Sequence, residues 1–266
     1  MPIFSILILL GVFFFSFLGP SFYSINAYTL NADLILLAPN LDNYLGTDRL
    51  GRDILARLME GGQVSLIIGV GSAFIASMIG LFLGSLAGYL RGNVDKAFIV
   101  TIDLFLTFPT FFLLLALVSY VNASIWVLIV VISITGWMTT ARLIRSESFK
   151  ITSQPYIKIL NIAKVKKMKI LFKYYAPILA PIYFVSFTFG VGGAILAESG
   201  LSFLGLGIMA PQMSWGTIIS GGKDVVEIAW WVSFFPGLMI FLVTFSLVNI
   251  SNYLQQLTNK KQIQNT

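Results

Sequence analysis

The sequence has no cysteine and no histidine in its 266 residues. That excludes disulfides, thiolate nucleophiles, imidazole bases and the usual zinc or copper ligand sets. Charge is scarce as well: 11% of residues are Asp, Glu, Lys or Arg, whereas a soluble domain holds about a quarter. In place of these groups stand 57% hydrophobic residues, 23 of them phenylalanine. This is the composition of a chain that crosses a membrane several times. The net charge of +6 follows loop position, so it reads as membrane topology and not as nucleic-acid binding. A chain this poor in reactive groups is expected to work by shape and movement.

Apolar runs predict six membrane spans, at about 3–18, 64–89, 97–121, 124–141, 177–198 and 230–254. The first reads as a retained span, because no Lys or Arg precedes it and no clean small-x-small cleavage site follows. Three regions result: residues 1–62, a first span with a polar segment; 63–254, a five-span core; and 255–266, a tail. Between spans four and five lies a basic loop, 142–175, with nine of the chain's seventeen Lys and Arg. Placing that loop inside puts thirteen Lys and Arg on the cytoplasmic side and four outside. The asymmetry predicts a multi-pass protein of the bacterial cell membrane, with the loop and both termini cytoplasmic.

Single residues in the spans stand out. Gly80, Gly84 and Gly88 form a small-xxx-small stripe that suits close helix packing, and Gly190, Gly192 and Gly193 suggest a second such region. Asp103 and Glu198 are carboxylates in apolar surroundings, and Pro109 interrupts span three. Intramembrane carboxylates generally face a bundle interior or a wet cavity, so these three residues are candidates for a translocation path or gate. In the segment before span two, Asp48, Arg49, Arg52, Asp53 and Arg57 alternate in sign at helical distances, which suggests pairing on a surface helix. Trp230 and Trp231 suit a membrane interface at the start of span six. Within the basic loop, Ser153 is placed to cap a helix and Pro155 to open it. Tyr156, Ile159, Leu160 and Ala163 then recur at helical spacing. A short amphipathic helix below a membrane bundle is a handle for a partner protein.

Two motif matches carry no weight. Gly205 to Ala210 fits the letters GxGxxA but follows no strand, and Gly221-Gly222-Lys223-Asp224 lacks the hydroxyl residue a phosphate loop requires. A nucleotide site is not visible in the sequence.

Several blocks in order resemble the transmembrane permease subunits of peptide/nickel-type ABC importers, the OppC/DppC branch. They are GlyThrAspArgLeuGlyArgAsp at 46–53, ArgGlyAsnValAsp at 91–95, Phe108-Pro109, AlaArgLeuIleArg at 141–145, AlaIleLeuAlaGluSerGlyLeuSerPheLeuGlyLeuGly at 194–207 and ProGlnMetSerTrpGly at 211–216. The resemblance implies an all-α membrane protein with the type I, MetI-like permease fold. It also implies that the basic loop is an EAA-type coupling loop that docks on an ATPase. Of that loop's pattern, Tyr156 and Pro177 match. Lys158, Ile159 and Leu160 stand where the family has Glu-Ala-Ala, and Lys164 where it has Gly, which puts a left-handed turn there in question. The implied partners are a second permease chain, two ATP-binding subunits and an extracytoplasmic binding protein. Peptides or nickel and metal chelates would be the cargo, and ATP would bind only to partner subunits. Two other classes stay open on sequence alone: an intramembrane enzyme using Asp103 and Glu198 as a carboxylate pair, and a passive channel or receptor.

Overall fold

A computed structural model describes residues 2–264, with side chains described through Thr258. The end of the expected tail, Asn265 and Thr266, lies outside the described residues, as do the side chains of Lys260 and Lys261. The elements are helices throughout: α1 Ile3–Phe17, α2 Gly19–Phe22, α3 Ile54–Leu90, α4 Gly92–Thr107, α5 Thr110–Val118 and α6 Ile125–Thr152. They continue with α7 Pro155–Ile162, α8 Lys167–Ile170, α9 Ala176–Phe203, α10 Trp215–Gly222 and α11 Trp231–Gln264. Four helices are long and apolar enough to cross a membrane: α3, α6, the α8–α9 rod Lys167–Phe203, and α11 over Trp231–Thr258. The pair α4 and α5 is apolar enough to make a fifth crossing if it counts as one span, but it is bent by 80° at the break between them. The fifteen-residue apolar α1 is the shorter sixth helix of the expected set.

The break between α4 and α5 follows from Phe108-Pro109. Proline has no N–H to donate and pushes the preceding residue out of the helical region, and Phe108 is extended at φ −89°, ψ 134°. Pro177 acts more gently. The rod widens to a π-turn at Leu171–Tyr175, where the Ala176 N–H reaches Leu171 O, just before the proline that cannot donate. The rod bends but continues.

Two expectations about helix limits change. Helix α6 runs on to Thr152, so Arg142 and Arg145 belong to a membrane-spanning helix and the connecting loop starts after it. The reason is pairing. Asp95 and Asp103 lie eight residues apart on one face of α4, and Arg145 and Arg142 answer them from α6. The Arg145–Asp95 contact is bidentate, with Nη2 to Oδ2 at 2.7 Å. Asp103 is therefore ion-paired along the α4–α6 seam and sits deeper in its helix than the first turns.

The charged block 46–53 is a turn, not a surface helix, because its side chains bond to its own backbone. Asp48 accepts from the N–H groups of Leu50 at 2.8 Å and Arg52 at 3.0 Å, and pairs with Arg52 and Arg57. Gly51 adopts φ +69°, and a Cβ there would lie 1.8 Å from Asn31 O, so only glycine fits. Asp53 caps α3 by accepting from Ala56 N at 2.8 Å. Its second oxygen accepts from Asn43 and Tyr23. Burial, with Asp53 adding to it, pushes the Tyr23 phenol well above its ordinary range.

The helices meet through small residues. A Cβ on Gly84 would lie 2.5 Å from Ala141 O, and one on Gly88 2.5 Å from Ser148 Cβ. The predicted glycine stripe is thus the α3–α6 contact. The second glycine cluster divides. Gly190 packs on Ala73, while a Cβ on Gly193 would meet nothing within 4 Å, because Gly193 opens onto a cavity. Trp231 also departs from the expected interfacial pair. It is buried and donates through Nε1 to Thr47 O at 3.1 Å, whereas Trp230 stays half exposed.

Candidate functional site

Where α4 breaks and α5 begins, a partly open cavity of about 200 Å³ lies between α3, α5, α6 and α9. Its wall carries the hydroxyls of Ser72, Ser77, Thr110, Thr135, Thr140 and Ser186, with Gly136, Gly190 and Gly193 between them. No charged residue lines it. Thr110 is the first residue after Pro109, so the proline break positions the cavity edge. Such a wall offers hydrogen bonds without fixed charge. Sequence reasoning found Pro109 but missed these serines and threonines, because single hydroxyl residues in an apolar helix carry no periodic signal.

Glu198 does not line this cavity. It is fully buried, enclosed by four serines from α3, α9 and the segment before α10. Ser202 and Ser214 donate to Oε1 at 2.6 Å each, and Ser65 and Ser199 donate to Oε2 at 3.4 Å each. Ser65 in turn accepts from the Trp215 N–H at 3.1 Å, and Trp215 Nε1 donates to Leu58 O at 3.0 Å. The carboxylate therefore ties α3, α9 and the N-terminus of α10 together. Ser214 completes a capping box with Thr217 at that end of α10. Asp103 is engaged by Arg142 and Glu198 by serines, so the two carboxylates form no reactive pair.

At the other end of the bundle, α7 hangs below α3, α6 and the α8–α9 rod. The local sequence explains its start only in part. Pro155 opens it, but Ser153 caps nothing there; its hydroxyl donates to Phe149 O and accepts from Arg91 at the end of α6. Ile157 is fully buried against Ile151, Ile170 and Tyr175, and Leu160 packs partly on the same cluster. Asn161 accepts from the Tyr89 hydroxyl on α3. The expected apolar face thus splits in two. Leu160 with Ile157 holds α7 to its own bundle, whereas Tyr156, Ile159 and Ile162 point away, Ile159 at 64% and Ile162 at 81% exposure. Lys158 and Ala163 are exposed as well, and Pro177 lies above them in the rod. Lys164 takes φ +52°, so the left-handed turn persists with lysine in it, at the strain a side chain brings to that region.

Residues 80–261 match the family described as "Binding-protein-dependent transport system inner membrane component", and the chain belongs to that family. It is therefore a permease subunit of a binding-protein-dependent importer. Among its relatives is the oligopeptide transport system permease protein OppC of Haemophilus influenzae, 29% identical over 97% of this chain and 83% of that protein. The dipeptide transport system permease protein DppC of Bacillus subtilis is 32% identical over 97% of this chain and 81% of that protein. In fold the chain is similar to the permease of the MetNI methionine ABC transporter in two inward-facing crystal forms. The TM-scores are 0.58 and 0.55 at 16% and 17% identity, covering 74% of this chain and 95% and 96% of those chains.

Proposed function

We propose that this chain forms, with a second permease chain, the translocation path of an ATP-driven peptide importer. An extracytoplasmic binding protein delivers the cargo, and two ATP-binding subunits drive the cycle from the cytoplasmic side. Peptides are the cargo in the relatives' names, and the hydroxyl-lined, uncharged cavity suits them. Such a wall can bond to a peptide backbone without selecting side-chain charge. ATP belongs to the partner subunits in this reading, and the chain itself catalyses no reaction. The α7 end and both termini face the cytoplasm, as the charge asymmetry directs.

One observation carries the reading. Helix α7 is anchored from one side by Ile157, Leu160 and Asn161, yet it presents Tyr156, Ile159 and Ile162 to the surroundings outside the bundle. A rigid helix with apolar residues on its free face is built to transmit motion from a docked partner. Burying Ile159 would contribute about 1.5–3 kcal/mol to that contact, and an aspartate there would instead desolvate a charge. The expected result for Ile159→Asp is normal membrane insertion with loss of ATPase copurification and of ATP-driven uptake. Lys164→Gly, which keeps the left-handed turn, should retain both. Peptide uptake at wild-type rate with the ATPase still bound to Ile159→Asp would overturn the assignment of this face.

A further inference from the structure

A groove of about 260 Å³ runs between α3 and the π-turn that begins the α9 rod, on a face of α3 next to the one that carries its glycine stripe. Met78, Leu81, Phe82, Leu171, Phe172 and Leu179 line it, and Phe172 is 67% exposed. The one hydroxyl in the lining, Ser85, donates to Phe82 O at 3.0 Å, so nothing polar in the groove needs an outside partner. The groove is thus shaped for hydrocarbon. Along the rod, Lys169 and Lys173 lie one turn apart and bracket the lining residues Leu171 and Phe172, and Lys164, Lys166 and Lys167 precede them. All five lysines are exposed, and among the described residues none forms an ion pair.

We propose that this groove binds an anionic phospholipid, with an acyl chain between α3 and α9 and the phosphate at Lys169 and Lys173. The two halves of the site select the two halves of such a lipid. An apolar slot at membrane depth takes the chain, and free ammonium groups at the cytoplasmic boundary take the headgroup. A second permease chain could cover the slot, but its own positive-inside loops would then approach five unpaired lysines. A cytoplasmic ATPase could reach the lysines but not the slot, which lies within the spans. The lipid therefore has what neither protein has, a negative head joined to an apolar tail. A phospholipid wedged there would brace the bend at the π-turn, next to the cluster that holds α7. The site depends on the cytoplasmic placement proposed above, which thiol labelling of Lys166→Cys from outside tests separately.

The chain's lack of cysteine allows a direct experiment. Phe172→Cys, carrying a photoreactive maleimide, is assembled into the complete transporter in nanodiscs of equal phosphatidylglycerol and phosphatidylcholine, and the adducts are identified by mass spectrometry. The expected adduct is phosphatidylglycerol in clear excess. Lys169→Gln and Lys173→Gln should each lower that excess about fivefold, whereas Lys96→Gln, at the same end but off the groove, should leave it unchanged. Ala176→Phe, which fills the slot and keeps the lysines, should remove both lipid adducts. Equal labelling of the two lipids, indifference to the lysine changes, or crosslinking to a second permease or an ATPase chain would each overturn the proposal. The lysine variants alter only exposed side chains, so the test stands even if Ala176→Phe fails to fold.

Discussion

Glu198 shows how a charge-bearing side chain can serve architecture inside a membrane bundle. A carboxyl group with no cation nearby is tolerable there because hydroxyls donate to it, Ser202 and Ser214 at 2.6 Å and Ser65 and Ser199 more loosely at 3.4 Å, and a buried polar group is tolerated where it is hydrogen-bonded. Removing it would strand those serines in a dry site, at about 1–3 kcal/mol for each buried group left unsatisfied. Glu198→Ala should therefore lower the unfolding temperature of the detergent-solubilised complex sharply. Glu198→Gln, which keeps one carbonyl for Ser202 and Ser214, should lower it less. A Glu198→Ala complex that melts like the wild type would show that the serine cluster is dispensable. Lys164 makes the opposite point. Its left-handed backbone is held by the local bonds that end α7, with Lys164 N–H to Asn161 O and Val165 N–H to Leu160 O, although lysine lacks the freedom of the glycine that usually stands there.

Among the elements, α3 does the most organising. One face carries glycines that admit the α6 backbone, another lines the hydroxyl cavity through Ser72 and Ser77, and a third borders the lysine-rimmed groove. In lipid such contacts rest on van der Waals packing, because apolar burial alone does not draw helices together. Gly84→Leu would place a branched side chain where even a Cβ lies 2.5 Å from Ala141 O, and α3 and α6 would have to separate. The expected outcome is a strong loss of assembled complex, at an overpacking cost of about 1–3 kcal/mol or more. Gly237→Leu in α11 is the control, since a Cβ there meets nothing within 4 Å. Equal assembly of the two variants would contradict the packing account.

For the molecule as a whole, the proposed orientation rests on thirteen Lys and Arg against four. Arg142 and Arg145 now count as helix residues, yet they sit toward the α7 end of α6, so the bias keeps its sign. Single cysteines introduced by Asn40→Cys and Lys166→Cys should separate cleanly under an impermeant thiol reagent applied to intact cells. Position 40 should label and position 166 should not. Labelling at 166 would reverse the topology and, with it, the docking side assigned to α7.

The main apolar helices, the proline break, the glycine stripe and the basic connection could all be read along the chain, whereas of the six expected spans four are helices long enough to cross, one is a bent pair and one is a shorter helix. Each rests on a local property: hydropathy summed over a window, a missing N–H, or small residues four apart. The charged block at 46–53 was legible as a set of pairs but not as a turn, because the backbone bonds from Asn31 N–H to Leu50 O and from Leu36 N–H to Asp48 O come from a segment that only the fold brings round. The same holds for the split face of α7. Spacing put Tyr156, Ile159, Leu160 and Ala163 together, but which of them turns inward depends on where Ile170, Tyr175 and Tyr89 come to rest. The hydroxyl cavity and the serine cage of Glu198 lay furthest out of reach. Their members come from segments far apart in the chain, as with Ser65 and Glu198, 133 residues from one another, and hydrogen bonds between distant helices leave no periodic trace. The sequence alone determined which segments enter the membrane, because transfer to hydrocarbon is a property of each segment by itself. Only the tertiary structure decided which polar groups face one another inside, because that depends on the relative placement of helices packed through glycine.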